Sequence, residues 1–529
     1  MQIRKECHWD RVMACYADRP LNVNDMLAKS WASAADKLAV VDGSVRMNYR
    51  ELEHAVATLA AALAARSVTF GDRVAVMLPN QLEAVLSVLA IARLGAVLVP
   101  LGTRLKEPEI SYIFGDAQPV AVIYAPDYAA EMPTTGPTTA MRFECGSAAW
   151  QDMMQPGPQT SAPPAEVNEH DAFGIIYTSG TTGKPKGAVL THLNVVHSCL
   201  HWEDAHQLTR DERTLVCVPW SHVAGLCGVV LPFLAIGGSL ILMREFKRRD
   251  FLELAQKERI THALMVPAMY GLCLLEPDLD TFNLIDWRIG AYGSAPMPEP
   301  TIQRFAQAFP ALQMCNCYGA TETTSPATMM PRGDGVAHAE SIGKTVPCGD
   351  ILVMDEQGCE VAAGEEGELW IAGPMVVPGY WKNEQANAIS FAGGYWKSGD
   401  IGAIDAAGYV RIADRKKDMV NRGGFKVYPA EVESVLAGIE GVIEAAVIGQ
   451  PDDMLGECVV AFLNVSTNLD PEMVRSYCAQ RMADYKVPGR VVIRKTPLPR
   501  NANGKIQKAD LREAAKLLPP LIRSPKAAL

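Results

Sequence analysis

Long apolar runs are missing from this 529-residue chain: no stretch of 18 consecutive apolar residues occurs, so no membrane-spanning helix is expected. Positive charge is also short. With 49 Lys and Arg against 60 Asp and Glu, the net charge of −11 provides no global field to attract nucleic acid or an anionic membrane. A phosphate-bearing ligand must therefore be held by local basic groups. The thirteen cysteines are odd in number and follow no framework spacing, which fits a reducing cytoplasm better than a disulfide scaffold. The opening MQIRKECHWDRVMACYADRP has scattered charges and no apolar core, so neither a secretory signal nor a membrane anchor is expected. The closing Ala-Ala-Leu is not the peroxisomal address.

The glycine-rich stretch of this chain is not a Walker A loop. The stretch Tyr177 to Gly187, YTSGTTGKPKG, holds three threonines, one serine, three glycines and two lysines in eleven residues. It lies between the apolar runs Phe173 to Ile176 and Ala188 to Leu190, both read as strands. Hydroxyls donate to phosphate oxygens, glycines let backbone N–H groups approach, and Lys184 and Lys186 supply charge, so this is a loop that grips phosphate. Gly180 and Gly183 are separated by two residues, and Pro185 follows Lys184. Walker A requires four residues between its glycines and Ser or Thr after the lysine, which argues against a P-loop kinase or GTPase. A flexible polar turn is the bland alternative; placement between two apolar runs disfavours it.

The length suggests two or more domains, and 49% hydrophobic residues leave ample core. From Thr58 to Pro100 an alanine-rich helix, a GDRVAVMLPN strand, a QLEAVLSVLAIARLG helix and an AVLVP strand alternate, as in βαβ units. Between Ala129 and Asn168 the composition turns to Pro, Thr, Ser, Ala and Gly, which predicts surface loop without a core. Strands are predicted at Thr214 to Pro219, Ser239 to Met243, Ala263 to Pro267, Ile289 to Gly293 and Met314 to Tyr318. Helices are predicted at Arg248 to Glu258 and Glu299 to Ala308. His192, His197, His201 and His206 crowd another predicted helix, yet without HExxH or a matched carboxylate they suit packing or exposure better than metal. The lone Cys315-x-Cys317 is read as small buried side chains.

The phosphate loop resembles the signature of the adenylate-forming superfamily: acyl-CoA and aryl-CoA synthetases, luciferases and the adenylation domains of peptide synthetases. The resemblance runs from about Asn48 to Arg512, with at least six motifs in family order. PLGTRL at Pro100 to Leu105, SIGKTVP at Ser341 to Pro347 and GELWIAGPMVVPGYWKN at Gly367 to Asn383 match core motifs and are read as mainly structural. The implied fold is a large α/β N-terminal domain with mixed sheets and flanking helices, residues 1–414. A hinge at 415–417 then leads to a small mobile α+β domain, residues 418–529.

The resemblance also assigns roles. Thr178, Ser179, Gly180, Thr181, Thr182, Gly183, Lys184 and Lys186 would hold phosphates. YGSAP at Tyr292 to Pro296 is similar to the loop over adenine, assigning Gly293, Ser294, Ala295 and Pro296 to the nucleotide. In NCYGATE, Asn316, Tyr318, Gly319, Ala320 and Thr321 would contact the nucleotide, and Glu322 with Thr178 would ligate magnesium. PWSHVAG at Pro219 to Gly225 would set His222 beside the reacting carboxylate, with Val223, Leu226, Cys227, Tyr292 and Gly319 in the acyl pocket. No aspartate precedes His222 in that motif, which argues against an amino-acid substrate.

Asp400 in YWKSGD would accept the ribose hydroxyls, Arg415 would contact ribose, and Lys417 would be the hinge. Gly423 and Gly424 would line the thiol's approach, and Lys505 would be the catalytic lysine; here Asn501 and Asn503 stand where Thr and Ser are common. The implied reaction is ATP-dependent activation of a carboxylic acid as an acyl-adenylate, followed by transfer to coenzyme A. Magnesium is the expected cofactor and a monocarboxylic aliphatic (fatty) or aromatic acid the expected substrate. An acyl-AMP ligase loading a carrier protein, a luciferase-like oxygenase and a non-catalytic nucleotide-binding module are the alternatives. No nucleic-acid partner or membrane span is expected, the location is cytoplasmic, and the oligomeric state is left open, a homodimer included.

Overall fold

The computed structural model describes residues 1–133, 140–155, 164–178, 185–415, 418–422, 425–452, 455–500 and 505–518. The chain divides into two compact units. The first comprises Met1–Ser294, Arg304–Ile351 and Trp370–Lys397; the second comprises Ala295–Gln303, Leu352–Leu369 and Ser398–Leu529.

In the first unit the alternation of short apolar runs with amphipathic helices builds two mixed sheets. One has six strands in the order Lys186–Thr191, Ala172–Thr178, Val97–Pro100, Arg73–Met77, Ala121–Tyr124, Met141–Glu144. Ala75, Met77, Val97, Val99, Val122 and Ile175 project from one face of it and pack on Ile110, Ile113, Phe114 and Ala117 of the helix Glu107–Ala117. The other sheet has nine strands, six of them parallel neighbours: Gln313–Tyr318, Ile289–Gly293, His262–Met265, Arg213–Val216, Ser239–Leu242 and Leu38–Asp42. Ser239–Leu242 and His262–Met265 are buried at every position, their polar first residues Ser239 and His262 included, as interior strands of a parallel sheet should be.

The predicted helices at 248–258 and 299–308 form as expected. The region 129–168 departs from the predicted loop. Met141–Glu144 pairs in parallel at the sheet edge and is followed by the helix Ala148–Met153, burying Phe143, Cys145, Trp150 and Met153. Proline- and threonine-rich flanks obscured a short segment whose own apolar spacing suffices for an edge strand. The opening residues also fold, as an antiparallel hairpin of Ile3–His8 and Arg11–Tyr16. Its two-residue turn places Trp9 and Asp10 at φ 49° and 61°, matching the twist of the paired strands.

In the second unit Gly456–Val465 pairs with Val442–Asp452, and period-two alternation sends neighbouring residues to opposite faces. Val447, Val459, Ala461 and Leu463 meet Val432, Leu436 and Val474 on one face. Ala446, Ile448, Val460 and Phe462 meet Leu511 and Ala515 on the other. Helices therefore cover both faces of this small sheet, and the element order follows the predicted α+β pattern. Among the described residues no helix is long and apolar enough to cross a membrane.

Candidate active site

Thr178 and Lys186 end two antiparallel strands and stand opposite each other in register, so the intervening loop leaves and re-enters the sheet at one point. Ser179, Gly180, Thr181, Thr182, Gly183 and Lys184 lie outside the described residues. The base of the loop is braced. Tyr177 donates its hydroxyl to Asp116 at 2.5 Å, Tyr112 donates to the Pro185 carbonyl at 3.2 Å, and Trp381 Nε1 donates to the Asp116 carbonyl at 3.3 Å. Burial and the Asp116 carboxylate push the Tyr177 phenol well above its ordinary value, so it stays a donor.

Lys186 Nζ lies 5.1 Å from the centroid of the Tyr380 ring. The Tyr380 hydroxyl in turn donates to Glu322 Oε1 at 2.8 Å. Backbone pairing supports this line: Trp381 N donates to the Gly187 carbonyl at 2.7 Å, Val189 N to Gly379 at 3.0 Å, and Val377 N to Glu322 at 2.9 Å. Glu322 is buried, yet Oε2 accepts no hydrogen bond among the described residues. The structure thus brings Thr178, Lys186 and Glu322 into one neighbourhood. Tyr380, which links them, belongs in the sequence to a motif that reads as structural; nothing in a lone Gly-Tyr-Trp distinguishes it.

Glu322 is presented by a single 3-10 turn, Thr321–Thr323, directly after the strand Gln313–Tyr318. Thr323 Oγ1 accepts from Ala320 N at 2.9 Å, and Asn316 Nδ2 donates to the Ser341 carbonyl at 3.2 Å. Gly293 ends the adjacent parallel strand opposite Cys317, where an added Cβ would sit 2.2 Å from the Cys317 carbonyl oxygen; only glycine allows that approach. Ser294, Ala295 and Pro296 follow it and are exposed.

The segment Pro219 to Gly225 is held by Asn80. Its Nδ2 faces the carbonyls of Val216, Val218 and Met243 at 3.0, 3.0 and 3.1 Å, and its Oδ1 accepts from Trp220 N at 3.0 Å. Trp220 Nε1 donates to the Leu78 carbonyl at 2.7 Å. His222 follows, half-buried, at the N-cap of the turn Val223–Gly225. Leu226–Val230 then winds as a π-helix, a local distortion frequent at functional sites. Val223, Leu226, Cys227 and Tyr292 are all buried. Burial pushes the Cys227 thiol well above its ordinary range, so it behaves as an apolar side chain.

The four histidines of the helix His192–His206 are buried. Burial pushes His192 down to about 4 and His197 and His206 down to about 3, which keeps the imidazoles neutral. Cys315 and Cys317 are buried as well.

In the second unit Asp400 is 3% exposed, its N–H bonded to Ser398 Oγ at 3.0 Å, and it pairs in register with Arg415. The Arg415 side chain, and all of Lys417, Gly423 and Gly424, lie outside the described residues. The neighbouring Asp414 accepts from Ala430 N at 2.8 Å, an anion at the N-terminus of the helix Pro429–Ala437. Lys505 is exposed and precedes Ile506, which bridges to Arg500.

A hydroxyl, an ammonium and a carboxylate converging at the ends of strands suit the phosphates and metal of a nucleoside triphosphate. The profile of the AMP-binding enzyme family matches residues 27–381, and that of the AMP-binding enzyme C-terminal domain matches residues 431–505. A long-chain-fatty-acid–CoA ligase, FadD13, of Mycobacterium tuberculosis is 35% identical over 474 residues, 89% of this chain and 93% of that protein. A feruloyl-CoA synthase of Amycolatopsis sp is 35% identical over 480 residues, covering 90% and 95%. The anthranilate CoA ligase AuaEII, solved with anthranoyl-AMP, superposes with a TM-score of 0.88 at 27% identity, over 95% of this chain and 99% of that one. The chain belongs to the AMP-binding enzyme family, the adenylate-forming superfamily.

Proposed function

We propose that this protein is an AMP-forming acid–thiol ligase that activates a carboxylic acid with ATP and passes the acyl group to coenzyme A. The observation that carries it is the line Thr178, Lys186, Tyr380, Glu322, in which a buried carboxylate is oriented beside the base of a phosphate-gripping loop. Full-length similarity to ligases named for fatty, feruloyl and anthranoyl acids supports the reaction class and an aliphatic or aromatic acid.

The first step brings two anions together, the carboxylate and the α-phosphate. Thr178 and Thr321 donate to phosphate oxygens, Lys186 and the loop lysine Lys184 offset charge, and Lys505 adds positive charge where it develops. One such donor contributes roughly 3 to 4 kcal/mol. Glu322 and Thr178 form a hard-oxygen donor set that fits Mg2+, which when bound would screen the triphosphate. His222 orients the acid over Val223, Leu226, Cys227 and Tyr292. No fixed charge stands among these residues to pair a second carboxylate, so the substrate is a monocarboxylate; best turnover of a dicarboxylate such as malonate would overturn that assignment.

Residues 1–414 form the adenylating domain, 415–417 the hinge and 418–529 the lid. Asp400 and Arg415 hold ribose. Rotation at Lys417 removes Lys505 after adenylation and brings Gly423 and Gly424 to the thiol. The protein acts in the cytoplasm, as a monomer or homodimer, on small molecules. Pyrophosphate release across a panel of acids, with and without CoA, for the wild type and Lys505→Ala, tests the assignment. Stimulation by one acid, acceleration by CoA and loss in the variant are expected. Release indifferent to CoA points to carrier loading, and no release with any acid removes the proposal.

A further inference from the structure

The amino-terminal hairpin meets the start of the phosphate-loop strand through a cluster that the ligase reaction does not use. His8 Nδ1 faces His170 Nε2 at 2.8 Å, and Glu169 Oε1 lies 3.7 Å from the same His8 nitrogen. The three ligating atoms all fall within 4.8 Å of one another. On the far side of the ring, His8 Nε2 faces Glu6 Oε2 at 3.1 Å. Arg19 binds both oxygens of Glu6, at 3.0 and 2.7 Å, so Glu6 is an ionised acceptor. In the neutral imidazole, the form that binds a metal, an acceptor-only partner places the proton of His8 on Nε2 and leaves the Nδ1 lone pair facing His170 and Glu169.

This is the arrangement in which a carboxylate behind an imidazole fixes the tautomer and aims the opposite nitrogen at a metal. Arg19 also sorts the two carboxylates. It donates to Glu169 only at Oε2, from Nε at 3.2 Å and from a terminal nitrogen at 2.8 Å, so Oε1 stays turned toward His8. His8 is buried and His170 is exposed, with the Trp9 ring centroid 4.8 Å from that of His170. Tetrahedral zinc at about 2.0 to 2.1 Å from each ligand separates ligand atoms by about 3.3 Å. His8 and His170 need to part by about half an ångström to reach that spacing. An exposed His170 can move that far.

We propose that His8, Glu169 and His170 form a binding site for a divalent transition ion, Zn2+ by its donor set of two imidazoles and one carboxylate, with the fourth position left to water. Glu6 and Arg19 are positioning residues. The bound ion ties the hairpin of residues 3–16 to the strand Ala172–Thr178, and at free Zn2+ concentration c it stabilises the folded chain by RT ln(1 + c/Kd).

The test is titration of the full chain with Zn2+ alone, followed by calorimetry, with the exposed thiols Cys7 and Cys359 replaced by serine so that they cannot compete. One saturable equivalent is expected, at least tenfold weaker in His170→Ala and restored in His170→Asp, which keeps an oxygen donor. Zn2+ should raise the thermal midpoint of the wild type and leave that of His170→Ala unchanged, while acid-dependent pyrophosphate release without added Zn2+ is equal in the two. Absence of saturable binding to the wild type, or wild-type affinity in His170→Ala, overturns the site.

Discussion

Tyr380 and Glu322, 58 residues apart in sequence, meet through a 2.8 Å hydrogen bond from the phenol to Oε1 of the buried carboxylate. Burial and the adjacent Glu322 push the Tyr380 phenol well above its ordinary value, so it remains a donor throughout the working pH range. The bond orients the carboxylate that the proposed mechanism uses to hold Mg2+. A hydrogen bond to a charged group contributes about 1.5 to 3 kcal/mol. Tyr380→Phe should therefore lower the rate of acyl-adenylate formation about 10- to 100-fold at limiting Mg2+. Raising the Mg2+ concentration should recover part of that loss. Pyrophosphate release measured against Mg2+ concentration checks both.

Glu322→Gln keeps the shape and removes the charge. Adenylation should fall by at least 100-fold, as for a lost electrostatic stabiliser. Thiolysis of pre-formed acyl-adenylate should persist, because the carboxylate has no part in attack by the thiol. Single-turnover assays of the two half-reactions separate the effects.

Asn80 is the staple of the segment carrying His222. Asn80→Ala removes the amide that faces the Val216, Val218 and Met243 carbonyls, of which Val216 keeps the Met243 N–H, and takes the acceptor from the Trp220 N–H; a buried unsatisfied group costs about 1 to 3 kcal/mol. A clear drop in the urea midpoint is expected, together with a raised KM for the acid, since His222 loses its anchor.

Gly225 leaves no room for a side chain: an added Cβ would sit 2.3 Å from the Pro219 carbonyl oxygen and 2.8 Å from Trp220 Cα, both backbone atoms that cannot yield cheaply. Gly225→Ala should destabilise the protein by about 1 to 3 kcal/mol, as overpacking does. It should also raise KM for the acid more than KM for ATP. Thermal midpoint and substrate kinetics measured together test this.

Burial pushes His192 down to about 4 and His197 and His206 down to about 3 in the folded chain, from an ordinary value of about 6.5. Between about pH 4 and 6.5 the unfolded chain binds protons that the folded chain refuses, so stability is complete above 6.5 and falls as pH drops through that window. The slope is about 1.4 kcal/mol per pH unit for each such histidine. His201, whose ring nitrogens have no hydrogen-bond partner among the described residues, is pushed well below its ordinary value by burial. His201→Leu should therefore raise the denaturant midpoint at pH 7, and raise it further at pH 5.

Much of this was legible in the linear chain because the signals are local. The helices at 248–258 and 299–308 and the strand at 289–293 follow from apolar periodicity bounded by turn residues. The hairpin around the phosphate loop follows from two apolar runs flanking a glycine- and threonine-rich segment. The region 129–168 was less legible, because its strand contributes only four residues between stretches of turn-forming composition. The amino-terminal hairpin escaped for a related reason: its alternation is interrupted by charges that pair only in three dimensions, as Arg19 does with Glu6 and Glu169.

What the sequence by itself determined is the order of the elements, the composition of the segment between Thr178 and Lys186 and the set of candidate side chains, since each depends on residues adjacent in the chain. What only the tertiary structure decided is which distant groups meet: Tyr380 with Glu322, Asn80 with the segment before His222, and His8 with Glu169 and His170. Those partners lie on separate strands, turns and loops, and a single hydrogen bond between such residues leaves no periodic trace in the chain. Sheet pairing and side-chain packing set the distances, and the distances set the chemistry.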